Sequence, residues 1–355
     1  MSNERKLMFY PWSDRVTNQY LKDYADNKIP VLDLDLSNRC NLGSCIYCDS
    51  QINIHNKDEF TFEELKTVVL QCKEFDLKSV YICGIGEPTD DDKFFPLIEL
   101  LRDKEINCTI FTNGTFSTEK VRLLKDCNVN LILKMDTFKA SSFNRILGKP
   151  ETAEHIYKTL EVLLNSGYGT VNEFNETDLA FSIVPTKWTY KDIPEVVKFC
   201  VKNNIFPSIG ELEYSGRAKD IYDDFYLNRN ELENLKSTVE SIVGHAYQRP
   251  ICPAIVTGIH INNSGKVIVH RQTGLGCHWF LLSEPDMVEI GDIRIHTVEE
   301  LNKNLRKFRR EHFNQESLKI ESKVPNVFGG CGGKLEAILD KYVEIQNEDK
   351  TYVNQ

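Results

Sequence analysis

Cys40, Cys45 and Cys48 fall within nine positions of the stretch "LDLDLSNRCNLGSCIYCDSQ", directly after a strand-like run. Three close thiols cannot all pair as disulfides. On one loop, three thiolates can hold three irons of a cubic cluster and leave the fourth iron open. Zinc would instead want four protein ligands for a structural site, or three and a water for a catalytic one. No fourth cysteine stands nearby, and the nearest histidine is His55. A second set, Cys252, Cys277 and Cys331, lies toward the end of the chain, the last two in the glycine-rich stretches "GLGCHWF" and "FGGCGGK". These are either metal ligands or separate buried thiols, since cysteine packs as a small hydrophobe. Cys72, Cys83, Cys108, Cys127 and Cys200 fall inside expected helices or strands and read as core or surface thiols.

A repeated strand–helix rhythm must position these thiols. Strands are expected at 31–36, 79–83, 108–112, 130–135, 178–184 and 205–212, and helices at about 61–76, 93–104, 117–127, 152–166, 191–203 and 228–243. Thr61 and Glu64 make a capping box for the first helix, whose Leu65, Val68, Val69, Cys72 and Phe75 share one face. Ser117 is placed to cap the third helix and Gly167 to stop the fourth. Such alternation implies a parallel sheet with right-handed crossovers, open or curled into a partial barrel, with functional residues where strands end. After about residue 245 the rhythm changes: "GIHINNSGKVIVHRQ" reads as a hairpin turning at Asn263–Gly265, followed by a helix at 297–313.

Composition narrows the function. The 355 residues carry a net charge of −10 with no long basic run, which argues against a dedicated nucleic-acid or membrane-surface binder. No apolar stretch of about 18 residues is present, and "MSNERKLMFYPW" lacks the core of a signal peptide, so a cytoplasmic protein is expected. Eleven cysteines in a reducing compartment need a use other than disulfides, and metal comes first.

The ordered motifs resemble the radical SAM superfamily over most of residues 31–217. The triplet follows the first strand, with Tyr47 before its last cysteine; "GIGEPT" follows the second strand, "FTNGT" ends the third and "LKMDT" the fourth. The family's usual spacing is Cys-x3-Cys-x2-Cys, and here one residue is added within "NLGS", where Gly43 can absorb a bulged turn. The resemblance implies a [4Fe–4S] cluster on Cys40, Cys45 and Cys48, with S-adenosylmethionine on the open iron. One electron would cleave it to a 5′-deoxyadenosyl radical that takes hydrogen from substrate. It also implies Gly86 and Glu87 at the methionine amino group, Thr112 and Asn113 at the ribose and methionine, and Ser182 at the carboxylate. Tyr47 and the backbone around Glu211 and Leu212 would face adenine. An electron donor such as flavodoxin or ferredoxin is implied as partner.

The order Cys252, hairpin, Cys277, distant Cys331, with "EIGDIRIHTVEEL" between, resembles the Twitch and SPASM regions that hold auxiliary clusters. Three cysteines suffice for one auxiliary [4Fe–4S] cluster; its fourth iron is open or held by another group, with His278, His270 and His260 as candidates. Lys134, Glu213 and Arg217 lie near strand ends as substrate contacts or surface ion pairs, and Asp136 can cap a loop. The acidic "TDDDK" at 89–93 could suggest a metal site, but it precedes a helix and reads as a solvated helix start favoured by the dipole.

The expected architecture is α/β: an extension over 1–30, a partial (β/α)6 TIM-like barrel over 31–245, a small α+β iron–sulfur region over 246–340, and a polar tail over 341–355. The expected function is a radical SAM enzyme acting on a small biosynthetic intermediate, such as a sugar, nucleoside or amino-acid derivative. Only about 30 residues precede the first strand, few for a separate peptide-recognition domain, so peptide modification ranks second. A zinc-stabilised binding module is the alternative of another class.

Overall fold

Side chains alternate across a strand, and a parallel sheet is covered on both faces, so each strand here has to suit two apolar surroundings. The computed structural model describes residues 6–48, 58–271, 275–276, 287–312 and 327–329. In it Leu32, Val80, Ile82, Cys108, Ile110, Leu131, Leu133, Leu179 and Phe181 pack with the helices in one large core. Residues of the other parity, Val31, Tyr81, Cys83, Ile132, Ala180 and Phe206, form a second cluster with Phe9 and Trp12.

In chain order, β1 (Met8–Phe9) and α1 (Asp14–Ala25) precede β2 (Val31–Leu34). The alternation then runs α2 (Phe62–Glu74), β3 (Ser79–Ile82), α3 (Phe94–Asp103), β4 (Asn107–Thr112), α4 (Lys120–Asp126) and β5 (Val129–Lys134). It continues α5 (Ala140–Leu147), α6 (Thr152–Asn165), β6 (Glu176–Thr177), β7 (Leu179–Ile183), α7 (Ile193–Lys202), β8 (Phe206–Ile209), α8 (Ala218–Phe225) and α9 (Arg229–Val243). The later described elements are α10 (Ala254–Thr257), β9 (Gly258–Ile261), β10 (Lys266–His270), β11 (Met287–Asp292) and α11 (Val298–His312).

The sheet order is β11-β10-β9-β2-β3-β4-β5-β7-β8, and every pairing from β9 through β8 is parallel. This is the expected α/β fold, with six strand–helix units in the order of a partial barrel. β1 pairs parallel with β6, just before β7, which puts the N-terminal segment at the barrel's base. There Tyr81 donates its hydroxyl proton to the Pro11 carbonyl at 2.8 Å, and Phe9 and Trp12 fill the interior. The hairpin is not set apart: β9 lies beside β2 in register Val31↔Gly258 to Leu34↔Ile261, so the barrel sheet continues into it.

Several details differ from the sequence reading. The fourth unit carries two helices, because Phe143, Ile146 and Leu147 of the short α5 are buried at helical spacing; its two serines weakened the helical signal. α8 was also missed. Ser117 accepts from the Glu119 amide in a turn, and α4 begins at Lys120 without a side-chain cap. The acidic run is not simply solvated, since Asp91 is buried and paired with Arg39 at 3.0 Å and Lys93 at 3.2 Å. The capping box at Thr61 and Glu64 is present as read. Cys277, Cys331, His278 and the tail over 341–355 lie outside the described residues.

Glu64 has a second role. Arg294, just after β11, donates to its carboxylate at 2.7 Å and to the Ser264 and Asp58 carbonyls, tying the hairpin to the start of α2. The Arg294 bond, then the Thr61 amide, holds the Glu64 carboxyl down to about 2. A carboxylate depressed in the folded state stabilises above its ordinary titration range and loses that contribution as pH falls toward 2. Glu64→Gln keeps a cap acceptor and removes the charge. It should cost about 1 kcal/mol at neutral pH after solvent screening, a difference that vanishes between about pH 4.5 and 2. Thermal melts of both proteins across that range check this.

Candidate cofactor site

The cysteine loop has no ladder of its own, and its shape comes from groups at the ends of neighbouring strands. Arg39 reaches Asp91 at 3.0 Å and Asp92 at 3.4 Å, and the Arg39 carbonyl accepts from the Glu87 amide at 2.7 Å. Ser44 Oγ donates to the Leu147 carbonyl at 2.7 Å, and the Ile46 amide to the Ile146 carbonyl at 3.0 Å, so the missed α5 supports the loop. A Cβ on Gly148 would stand 2.3 Å from the Ser44 carbonyl oxygen, which is why that helix ends in glycine. Beyond β8, the Arg217 amide donates to the Cys48 carbonyl at 2.9 Å and its guanidinium to the Gly43 carbonyl at 3.1 Å. Arg217 therefore braces the loop; Gly43, at φ 65°, makes the left-handed turn that the longer spacing needs.

Cys40, Cys45 and Cys48 are half-buried and in no disulfide, and all line one cavity at the C-terminal ends of the strands. Burial raises the Cys40 thiol and pushes Cys45 up to about 11, so metal binding must drive off their protons. Tyr47, Gly86, Glu87, Thr112, Asn113, Ser182, Glu211 and Leu212 line the same cavity, with Lys134 and Glu213. Gly84, Phe111, Ile132, Val184 and Ser215 also line it and were not singled out. Strand parity was the available signal for Phe111 and Ile132, which share a face with Tyr81.

The polar side chains divide by what they already hold. Glu87 is buried, and its Oε1 accepts from the Thr89 amide at 3.2 Å, Thr89 Oγ1 at 2.7 Å and Thr112 Oγ1 at 2.8 Å. Its Oε2 accepts from the Asn113 amide at 2.7 Å. Burial outweighs these donors and raises its carboxyl above the ordinary value. Asn113 donates to Asn41 Oδ1 at 3.1 Å, lies 3.9 Å from Cys40 Sγ, and accepts from Thr115. Glu87, Thr112 and Asn113 thus hold one another, and Gly86 and Glu87 present backbone to the cavity. A Cβ on Gly86 would meet the Arg39 carbonyl oxygen at 2.3 Å. Ser182 differs, with its half-exposed hydroxyl bonded to none of the described residues.

On the opposite wall the Tyr47 hydroxyl donates to Asp136 and accepts from Lys134, whose ammonium lies 4.1 Å from the centre of the Tyr47 ring. Asp136 is buried and also accepts from the Val184 amide at 2.9 Å, so it joins β5 to the end of β7 beyond capping a loop. Glu211 turns its carboxylate to the Phe328 amide at 3.1 Å.

The donor set suits a cluster better than a single ion. Among the described residues no three His, Cys, Asp or Glu side chains could hold one metal ion. A cubic cluster puts each thiolate on a separate iron, so three thiols need not converge on one point. A family model described as the radical SAM superfamily matches residues 34–200. These findings support a radical SAM enzyme. Such enzymes use a [4Fe–4S] cluster and S-adenosylmethionine. The probable GTP 3′,8-cyclase of Methanocaldococcus jannaschii is 24% identical over 245 residues, 68% of this chain and 78% of the cyclase. The mycofactocin maturase MftC of Mycolicibacterium smegmatis is 25% identical over 244 residues, 66% of this chain but only 59% of the maturase. The crystal structure of Streptococcus suis SuiB bound to S-adenosylmethionine superposes with a TM-score of 0.62 at 18% identity, covering 91% of this chain and 77% of that one. Among the described residues no helix is long and apolar enough to cross a membrane.

The bridging role of Glu87 makes a direct prediction. Glu87→Ala leaves the buried donor of Thr112 and the part-buried donors of Thr89 and Asn113 without their acceptor, at about 1–3 kcal/mol for a buried unsatisfied group. The melting temperature of the metal-free protein should fall by several degrees. An unchanged value would show that the carboxylate does not hold the two loops together.

Proposed function

We propose that this radical SAM enzyme takes hydrogen from a small biosynthetic intermediate, assisted by one auxiliary iron–sulfur cluster. The observation that carries the front site is the set of three cysteine side chains sharing a cavity with the cradle that Glu87 ties together. Cys40, Cys45 and Cys48 would hold the first cluster. The backbone of Gly86 and Glu87 would meet the methionine amino group, and the Ser182 hydroxyl its carboxylate. Thr112 and Asn113 keep that wall rigid, while Tyr47, held by Lys134 and Asp136, and Leu212 bound the adenine side. Bound there, cluster and S-adenosylmethionine supply a one-electron cleavage and the hydrogen-abstracting radical, with the electron coming from a donor such as a flavodoxin or ferredoxin.

The small-molecule reading draws support from the closed base of the barrel, where Phe9 and Trp12 occupy the interior. One relative, the probable GTP 3′,8-cyclase, agrees with it. Peptide modification is the second reading, favoured by the maturase among the relatives. Support for the auxiliary cluster comes from Cys252, half-buried against the interior group of Trp12 and Tyr81. Gly276, next in sequence to Cys277, lies against His260, and Gly329, two before Cys331, lies against Gln248 and Arg249. Both ring nitrogens of His260 face carboxylates, Asp33 at 2.8 Å and Asp35 at 3.6 Å.

Anaerobically reconstituted protein given dithionite and S-adenosylmethionine should slowly form 5′-deoxyadenosine and methionine. Replacing Cys40, Cys45 and Cys48 together with alanine should abolish this, measured by chromatography of the products, and undiminished cleavage would sink the front assignment. Iron analysis tests the rear one. About eight irons per chain are expected in wild type and about four in either triple variant, the second being Cys252, Cys277 and Cys331 to alanine. Four irons in wild type would leave a single-cluster enzyme.

A further inference from the structure

Arg249 lies beside the interior aromatic Trp12 with no acid paired to it among the described residues. Its Nε is buried with no hydrogen-bond partner, and its guanidinium makes no ion pair with any described residue. It is held by shape instead. The guanidinium carbon lies 5.6 Å from the centre of the Trp12 ring, and Nη1 sits 2.8 Å from where a Cβ on Gly210 would be. Any side chain at 210 would displace it. The Arg249 amide donates to the Phe328 carbonyl at 2.9 Å, which fixes the backbone beneath it.

Gly210 leads directly into Glu211 and Leu212, which line the cofactor cavity. Trp12 lines a second cavity with Gln248 and Pro250, and its ring lies 6.3 Å from that of Phe111, which lines the first. Two further buried groups on the interior face lack partners among the described residues, Trp12 Nε1 and Thr109 Oγ1. Guanidinium and indole N–H only donate. A half-buried cation with unmet donors calls for an anionic acceptor, and desolvation makes leaving it unmatched costly.

Charge decides which anion. Arg249 brings one positive charge, and the buried interior already carries Asp33 and Asp35 around His260. A singly charged planar carboxylate matches one guanidinium fork, whereas a phosphate dianion would keep an unmatched charge. The Trp12, Phe111 and Ile132 side chains offer the rest of such a molecule an apolar wall. We propose that the substrate is a small carboxylic acid whose carboxylate is held by Arg249 beside the cofactor cavity. This rests on the small-molecule reading above and narrows it.

The test uses the reconstituted full-length protein with S-adenosylmethionine present, probed by fluorine NMR with 4-fluorobenzoate and its uncharged counterpart 4-fluorobenzamide. Saturable binding of the benzoate is expected, at least about tenfold tighter than the amide, the scale of one lost charge-assisted bond. Arg249→Met should lose that preference, and Arg249→Lys, which keeps the charge without the fork, should retain part of it. If the methionine variant fails to fold, the lysine variant and the benzoate–amide comparison in wild type still decide. Equal binding of benzoate and amide, or wild-type affinity in Arg249→Met, overturns the proposal. Inorganic phosphate that displaces the benzoate at lower concentration than benzoate itself binds overturns the carboxylate assignment. Loss of rear-cluster iron in Arg249→Met with benzoate binding intact would assign the guanidinium to the cluster and also overturn it. Cleavage of S-adenosylmethionine by wild type is read separately: its absence removes the radical reading, while benzoate binding reports on Arg249 alone.

Discussion

An irregular loop that must present three thiols cannot satisfy its own backbone, and everything else about the site depends on how that need is met. Here the partners come from four places around the barrel: Glu87 after β3, Asn113 after β4, the end of α5, and Arg217 after β8. Each lies at the C-terminal end of a strand or in the segment that follows one. The cavity is therefore where the loops converge, and the loop's position is set by residues between 48 and 174 positions away from their partners in sequence. Glu87 concentrates this constraint. One buried carboxylate joins the loops after β3 and β4, and its own backbone amide joins both to the cysteine loop.

Parity along the strands explains what lies beneath. Outward residues meet helices and give one continuous apolar core, while inward residues meet one another and the N-terminal plug. The interior is mixed: an aromatic floor of Trp12, Tyr81 and Phe111 stands beside the buried Asp33, His260 and Asp35. Polar groups in such a place cost free energy unless partnered, so those left unmatched beside the cavity carry functional meaning.

The rear of the molecule is joined to this frame by more than the chain. β9 continues the barrel sheet past β2, and Arg294 ties the turn after β11 to the start of α2. From α11, the fully buried Arg309 donates to the Val256 and Gly258 carbonyls, and Arg306 to those of Tyr24 and Lys28. These bonds clamp α1, α10 and the base of β9 together. The segment around Cys252, between Tyr247, which bonds to β8, and α10, is consequently held on both sides. Tyr247 receives the Ile209 amide at 3.0 Å and donates to the Pro207 carbonyl at the sheet's edge.

The strand–helix alternation, the capping box at Thr61 and the residues that gather at the strand ends were all legible in the sequence. Periodicity and local hydrogen bonding are properties of neighbouring residues, and motif order along a parallel sheet translates directly into position around it. The helices α5 and α8 were not legible, because short segments with serine and aspartate carry weak propensity and are stabilised by burial of a few apolar side chains. Nor was the division of labour within the cavity. "GIGEPT" and "FTNGT" announce a polar cluster, but only the folded chain turns Glu87, Thr112 and Asn113 toward one another while the Ser182 hydroxyl bonds to none of the described residues. Arg217 is the same lesson, a charge at a strand end that braces a backbone carbonyl. Arg249 goes further, with no motif around it; that no described acid pairs with it is visible only in the folded chain. Residue type and spacing determine what chemistry a chain can hold, whereas tertiary packing decides which of those groups are already satisfied and which are left to meet a ligand.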